Sequence, residues 1–268
     1  PRMARILVTD DETFNLIRHN LGDRYKSGFP VLKELIQNAE DAEASHLRFV
    51  FHPGWLEAAH PLLRHSGMIV VNDGKFRMEH GKKMLSFANS SKAGEVGAIG
   101  RFGFGQKAVF HLCDAFIIHA FGHEDAFDEV ANPCAGLSSA SDNQAIHWDK
   151  APGPKDLDRM RSAAAVDFAQ GVLLWLPFRH RGLLPAPGLS FTAEEPHATQ
   201  LAAEIRDNRD QLALILAASR NLCRIEVKNE NEPILDLSLS PKASRPAKVD
   251  HTEAAARTFG GELRLPEK

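Results

Sequence analysis

The sequence predicts an α+β sandwich, a mixed sheet covered by helices. Three observations carry this. Apolar runs of strand length recur along the chain: LRFVF (47–51), MIVVN (68–72), AFIIHAF (115–121), VLLWLPF (172–178), CRIEV (223–227) and ILDLSL (234–239). Between some of them lie segments whose apolar residues fall at helical spacing. Several consecutive strands have no helix between them, which argues against a doubly wound parallel sheet. The 268 residues suit one large domain or two small ones. A content of 43% hydrophobic and 25% charged residues is ordinary for a soluble globular chain.

Taken in order, TFNLIRHNLGDRY (13–25) predicts a short helix. The turn Ser27-Gly28-Phe29-Pro30 leads into a second helix, VLKELIQNAEDAEA, that runs to about Ala44. Pro30 suits its first turn, where a missing N–H costs nothing. The strand at 47–51 ends at Pro53-Gly54, and the strand at 68–72 ends at Asp73-Gly74. Residues 77–88 read as a helix, 89–105 are too rich in Gly and Ser to be regular, and QKAVFHL (106–112) starts another helix. Residues 122–170 read mostly as loops, with Ala151-Pro152-Gly153-Pro154 among them and AIHW (145–148) as a short strand. A long helix spans 197–218. Residues 1–240 form the expected domain, and 241–268 an extension or the start of a following domain.

The net charge of -3 gives no general pull toward nucleic acid or an anionic membrane. The cysteines Cys113, Cys134 and Cys223 are odd in number and lack zinc spacing, which points to a reducing, intracellular, cytoplasmic setting. No apolar run is long enough to span a bilayer. The chain lacks an initial Met and ends in GGELRLPEK without a stop signal, so it reads as a piece of a longer protein.

Three constellations carry chemistry. On the helix at 32–43, Leu32, Leu35, Ile36 and Ala39 make one stripe, while Glu34, Asn38 and Asp41 make a second. The amide oxygen of Asn38 suits the shell of Mg²⁺, whose other ligands would be phosphates and water. Glu34, one turn earlier, suits orientation or deprotonation of a water attacking a γ-phosphate. At the end of the second strand, Asn72 or Asp73 is placed to accept from an adenine amino group, and Gly74 permits close backbone approach. Gly97, Gly100, Gly103 and Gly105 then form a loop whose main-chain N–H groups suit phosphate oxygens, with Lys107 directly after. This loop is neither a Walker motif, since Gln106-Lys107-Ala108 follows Gly105, nor a G-x-G-x-x-G motif, since its order is reversed. Each signal alone has a plainer reading: a solvated helix face, a common turn, a flexible linker. Their conjunction in one order is what gives them weight.

LKELIQNAEDAEA (32–44), MIVVNDG (68–74) and IGRFGFGQKAVFHLCD (99–114) together resemble the three boxes of the GHKL superfamily of ATPases. RYKSGFPVLKELIQNAEDAEA, NDGKF and GRFGFGQKAVFHLCDAF are most similar to its sacsin-type, heat-shock-chaperone-like ATP-binding domains. LSFANSSK…GRFGFGQK is also similar to the microrchidia ATPases. The resemblance implies a Bergerat fold, a two-layer sandwich of mostly antiparallel sheet with helices on one face, and a lid over about 86–104. It implies a slow, Mg²⁺-dependent ATPase, with Asn38 as the Mg²⁺ ligand and Glu34 as the catalytic base. Asp41, Ala42, Asn72, Asp73 and Gly74 would line the nucleoside pocket. Gly100, Arg101, Phe102, Gly103, Phe104, Gly105 and Lys107 would hold phosphates. Partners would be other domains of a longer chain or a second copy. Two departures stand out: Asn72 occupies the place of an aspartate in the wider superfamily, and Val172 that of a threonine.

Overall fold

The computed structural model of the chain describes residues 10–23, 28–85, 105–124, 126–137, 144–184, 189–239 and 263–264. The predicted lid, Gly100 through Phe104 and nearly all of 241–268 lie outside these residues. An eight-stranded sheet forms the centre, in the order β4-β3-β5-β2-β1-β6-β7-β8. Its strands are β1 (His46–His52), β2 (Gly67–Asn72), β3 (Phe116–Phe121), β4 (Phe127–Ala131), β5 (Gly171–Pro177), β6 (Arg224–Asn229), β7 (Glu232–Leu239) and β8 (Leu263–Arg264). β1 pairs in parallel with β6, and the remaining neighbours pair antiparallel. The predicted α+β sandwich with a mixed, mostly antiparallel sheet is therefore what the chain forms.

Strand alternation sorts the two faces. On one, Phe116 meets Phe110 of the 3₁₀ segment Gly105–His111, which packs on helix α2 (Phe29–Asp41). Helix α1 (Asp10–Asp23) packs on the same segment, while α5 (Ala198–Asp207) and α6 (Arg209–Ala218) contact β7. Together they make the helical layer, with α3 (Met78–Leu85) against β4. The other face is covered as well. Trp175 of β5 is fully buried and donates through Nε1 to the carbonyl of Leu62, and helix α4 (Pro154–Ala163) places Arg161 over the Phe121 ring. Arg48 of β1 donates to the carbonyls of Ala164 and Ala165 just beyond α4.

Local differences from the sequence reading have local causes. The run 197–218 is two helices, because Asn208 ends α5 by donating through Nδ2 to the carbonyl of Glu204 at 2.8 Å and then starts α6. Its short amide competes with the helical ladder. AIHW is a 3₁₀ turn and not a strand: Ala145 and Trp148 are buried while Ile146 and His147 are exposed, the three-residue repeat of that helix. Pro154 begins α4 after Gly153, so the Pro/Gly cluster taken for a loop contains a helix start. The helix expected from 106 is a tight 3₁₀ segment from Gly105.

Two buried charged hubs fix connections. Arg179, just after β5, donates to Asp114 at 2.8 Å, to Thr192, and to the carbonyls of Phe110, His111, Cys113 and Glu194. It thereby caps the end of the 3₁₀ segment that follows the glycine-rich loop. On the second face, Glu226 of β6 meets His46 and Arg48. Burial alone would raise its pKa, but these partners outweigh burial and hold the carboxyl well below the usual range.

His52, His60 and His65 are pushed below the ordinary imidazole pKa, in each case chiefly by burial. His60 accepts from the Leu62 N–H through Nδ1, a bond that protonation would break. Below about pH 6.5 the unfolded chain takes up protons that these folded residues refuse, so stability falls as pH drops. Thermal melts are expected to show a lower Tm at about pH 5.5 than at about pH 7.5. An equal or higher Tm at the acidic pH contradicts this.

Candidate functional site

The site is built around α2, which is clamped at both ends. At its N-terminus Gly28 has φ of 81°, and a Cβ there would lie 2.2 Å from a Glu204 carboxylate oxygen. Gly28 thus admits Glu204 of α5, which accepts from the Phe29 N–H at 2.8 Å. An anion there satisfies a free N–H and favours the helix dipole. At the other end Ala42 closes the helix on the Asn38 carbonyl, and its own carbonyl accepts from the Lys75 N–H at 2.7 Å. Asp73 accepts from the N–H groups of Ser45 and His46 at 2.7 and 2.9 Å, and from the Ser45 hydroxyl. Glu40, on the flank of α2, accepts from the N–H groups of Arg220, Asn221 and Leu222. The helix is thereby bound to the β2 end, to α5 and to the α6–β6 connection.

On this held helix Glu34 and Asn38 are half-buried, one turn apart. Among the described residues neither side chain makes a hydrogen bond or ion pair. Asp41 is exposed at the last helical position. It borders a cavity of about 620 Å³ on the α6 side of α2, with Lys33, Gln37, Glu40 and Asn221.

Gly74 is buried against Ala42, whose Cβ and carbonyl would both lie 2.9 Å from an added Cβ. The turn after β2 is therefore in direct contact with the C-terminal cap of α2. Asn72 and Asp73 diverge. Asp73 turns back to Ser45 and His46, which use both its oxygens. Asn72 accepts through Oδ1 from the Gly74 N–H at 2.9 Å. It lies in a cross-strand row with Leu47, Val172 and Ala120, which ends at Phe127. Phe127 touches Phe76 and lies beside Gly81 of α3, so this row faces the helical layer. Gly105 opens the 3₁₀ segment beside α2, and Lys107 is a residue of that segment. The positions of Gly100, Arg101, Phe102, Gly103 and Phe104 fall outside the described residues.

Several other cysteine, histidine and acidic side chains have structural roles. Cys113 is fully buried, burial pushes its thiol well above the ordinary value, and Asp114 pairs with Arg179. His119 pairs with Asp128 at 2.5 Å, whereas His123 meets the Gly171 carbonyl. Among the described residues no three His, Cys, Asp or Glu side chains are grouped to hold a metal, and no helix is long and apolar enough to cross a membrane. Sequence reasoning missed Glu40 and Glu204, because an acidic residue on a helix surface has no local signature of a partner 175 or 180 positions away.

A mostly antiparallel sheet, a helical layer and a helix that carries Glu34 and Asn38 and whose C-cap, Ala42, packs on Gly74 are consistent with the GHKL class of domain. More narrowly, the chain belongs to the sacsin domain family, whose model, described as Sacsin domain, matches residues 12–232. It is 34% identical over 98 residues to Sacsin of Homo sapiens, which covers 34% of this chain and 2% of that protein. It is 31% identical over 106 residues to Protein NO VEIN of Arabidopsis thaliana, covering 39% of this chain and 4% of that protein. The chain thus spans a few per cent of the length of these relatives.

Replacing Asp73 by Ala strands the Ser45 and His46 N–H groups and frees the turn joining α2 to β1. A loss of about 2 kcal/mol in urea-unfolding stability is expected. A change within about 0.5 kcal/mol shows that the clasp does not matter.

Proposed function

We propose that the domain binds ATP with Mg²⁺ and hydrolyses it slowly, passing the bound state to another domain or a second copy of the chain. The observation that carries this is the Glu34/Asn38 pair: two half-buried polar side chains without partners among the described residues, on a helix whose ends are pinned. Two polar side chains that no described protein group engages, fixed on a rigid element, are free to engage a ligand. The donor set fits Mg²⁺: one amide oxygen is a hard ligand, and this cation keeps most of its shell as water and phosphate. Bound Mg²⁺ supplies charge neutralisation on the phosphate oxygens. Asn38 fixes the triphosphate end, and Glu34 orients the attacking water and takes its proton. Gly74, seated against Ala42, would border the nucleoside from the turn beside Asn72. Gly105 and Lys107, with the glycines before them, are assigned to the phosphates.

A second reading, a nucleotide-holding or scaffold module without turnover, draws support from Asn72 in the place of an acid. A thermal-shift titration separates the readings from an empty domain, since a ligand at a hundred times its Kd adds about 2.7 kcal/mol.

Glu34→Ala is expected to keep the Mg-ATP thermal shift and to lower phosphate release by at least about 100-fold. Equal turnover in the variant and the parent removes Glu34 as the base. Asn38→Ala is expected to abolish the Mg²⁺-dependent part of the shift; an unchanged calorimetric titration removes Asn38 as the ligand.

A further inference from the structure

We propose that the base pocket of this domain favours a 6-oxo purine over adenine, with Asn72 as the selecting residue. The inference rests on the nucleotide reading above, keeps its triphosphate and Mg²⁺ site, and revises the base that the pocket prefers. It starts from the row Leu47, Asn72, Val172 and Ala120, which crosses the sheet on the helical face beside Gly74. Leu47, Val172 and Ala120 are apolar and buried, so Asn72 supplies the polar chemistry of that row.

The orientation of its amide is fixed by a donor. The Gly74 N–H points at the side chain from 2.9 Å, and an N–H requires an oxygen, so Oδ1 is turned onto the backbone. The amide NH₂ is then the end directed away from the turn, and among the described residues it has no partner. A carboxylate at this position would keep one oxygen on the Gly74 N–H and present the other as an acceptor, which suits the 6-amino group of adenine. Asn72 presents a donor in that place. A donor suits the 6-carbonyl of guanine or hypoxanthine and leaves an adenine amino group facing another donor. Val172, directly across from Asn72, adds no hydroxyl to offset this. A mismatch of this kind is costly because a desolvated polar group is left without a partner.

The test compares ATP with inosine triphosphate, which carries a 6-carbonyl in place of the amino group and adds no 2-amino group. Kd values for both, with Mg²⁺, are measured by calorimetry on the full chain and on Asn72→Asp. The aspartate preserves the size of the side chain and the bond to the Gly74 N–H and exchanges the donor for an anionic acceptor; the added charge acts on both triphosphates alike, so the ratio of the two Kd values reports on the base. The parent is expected to bind inosine triphosphate at least about fivefold more tightly than ATP, and Asn72→Asp to reverse this to about tenfold in favour of ATP. If Asn72→Asp fails to fold, Asn72→Ser, whose hydroxyl can either donate or accept, is expected to bring the two Kd values together. A parent that prefers ATP or binds both equally overturns the base assignment and leaves the nucleotide site standing. A substituted chain with the parent's ratio removes Asn72 as the selector. A parent that binds neither nucleotide overturns the site reading and this inference with it.

Discussion

Everything at the candidate site depends on α2 being held at both ends by acidic side chains that come from elsewhere in the sequence. Glu204 reaches the first N–H of the helix, and Asp73 ties the turn that follows it. Neither contact needs the helix to be strong on its own, and a helix of thirteen residues is marginal in isolation. The clamps turn a short amphipathic segment into a fixed bar, and only on a fixed bar do two side chains one turn apart keep a constant separation. The same logic governs the 3₁₀ segment against which α2 packs. Its carbonyls converge on the Arg179 guanidinium, so the exit of the glycine-rich stretch is pinned to the end of β5.

The division of labour between Asn72 and Asp73 shows how a motif can carry two unrelated duties. In sequence both are short polar residues at a strand end, and either suits a hydrogen bond to a base. In the fold, strand alternation sends them apart: Asn72 to the helical face, Asp73 back to the turn before β1. Asp73 serves the scaffold, since its oxygens are used by Ser45 and His46. Asn72 keeps one end of its amide available while the other completes an Asx turn with Gly74.

The parts legible in sequence were those with a local cause. Central strands such as MIVVN and VLLWLPF are buried on both faces, so they read as unbroken apolar runs. The two stripes of α2 follow from helical period alone, and the turn at Gly74 from its glycine. Features with a distant cause were not legible. FDEVA (127–131) lacks a long apolar run because β4 is an edge strand, and only its pairing with β3 makes it one. Helix α4 starts amid prolines and glycines that also describe a loop. Glu40 and Glu204 read as solvated surface, although both organise backbone far along the chain. Arg179 follows β5, a strand legible from its apolar run, while the role of Arg179 depends on carbonyls some seventy positions earlier.

The parallel pairing of β1 with β6 has a consequence for how the polypeptide comes together during synthesis. Arg48 and Glu226 are 178 positions apart, yet they sit side by side in the sheet centre. A ribosome has to deliver most of the domain before β1 gains its second neighbour and before Glu204 reaches α2. Until then the first two hundred residues carry unpaired strand edge and uncovered apolar surface, the condition in which nascent chains aggregate or recruit holdases. Closing so long a loop is slow, and it delays the arrival of the Glu204 clamp until the sheet is nearly finished. Assembly of the ligand-bearing helix is thereby made a late event, tied to completion of the whole domain rather than to translation of its own segment.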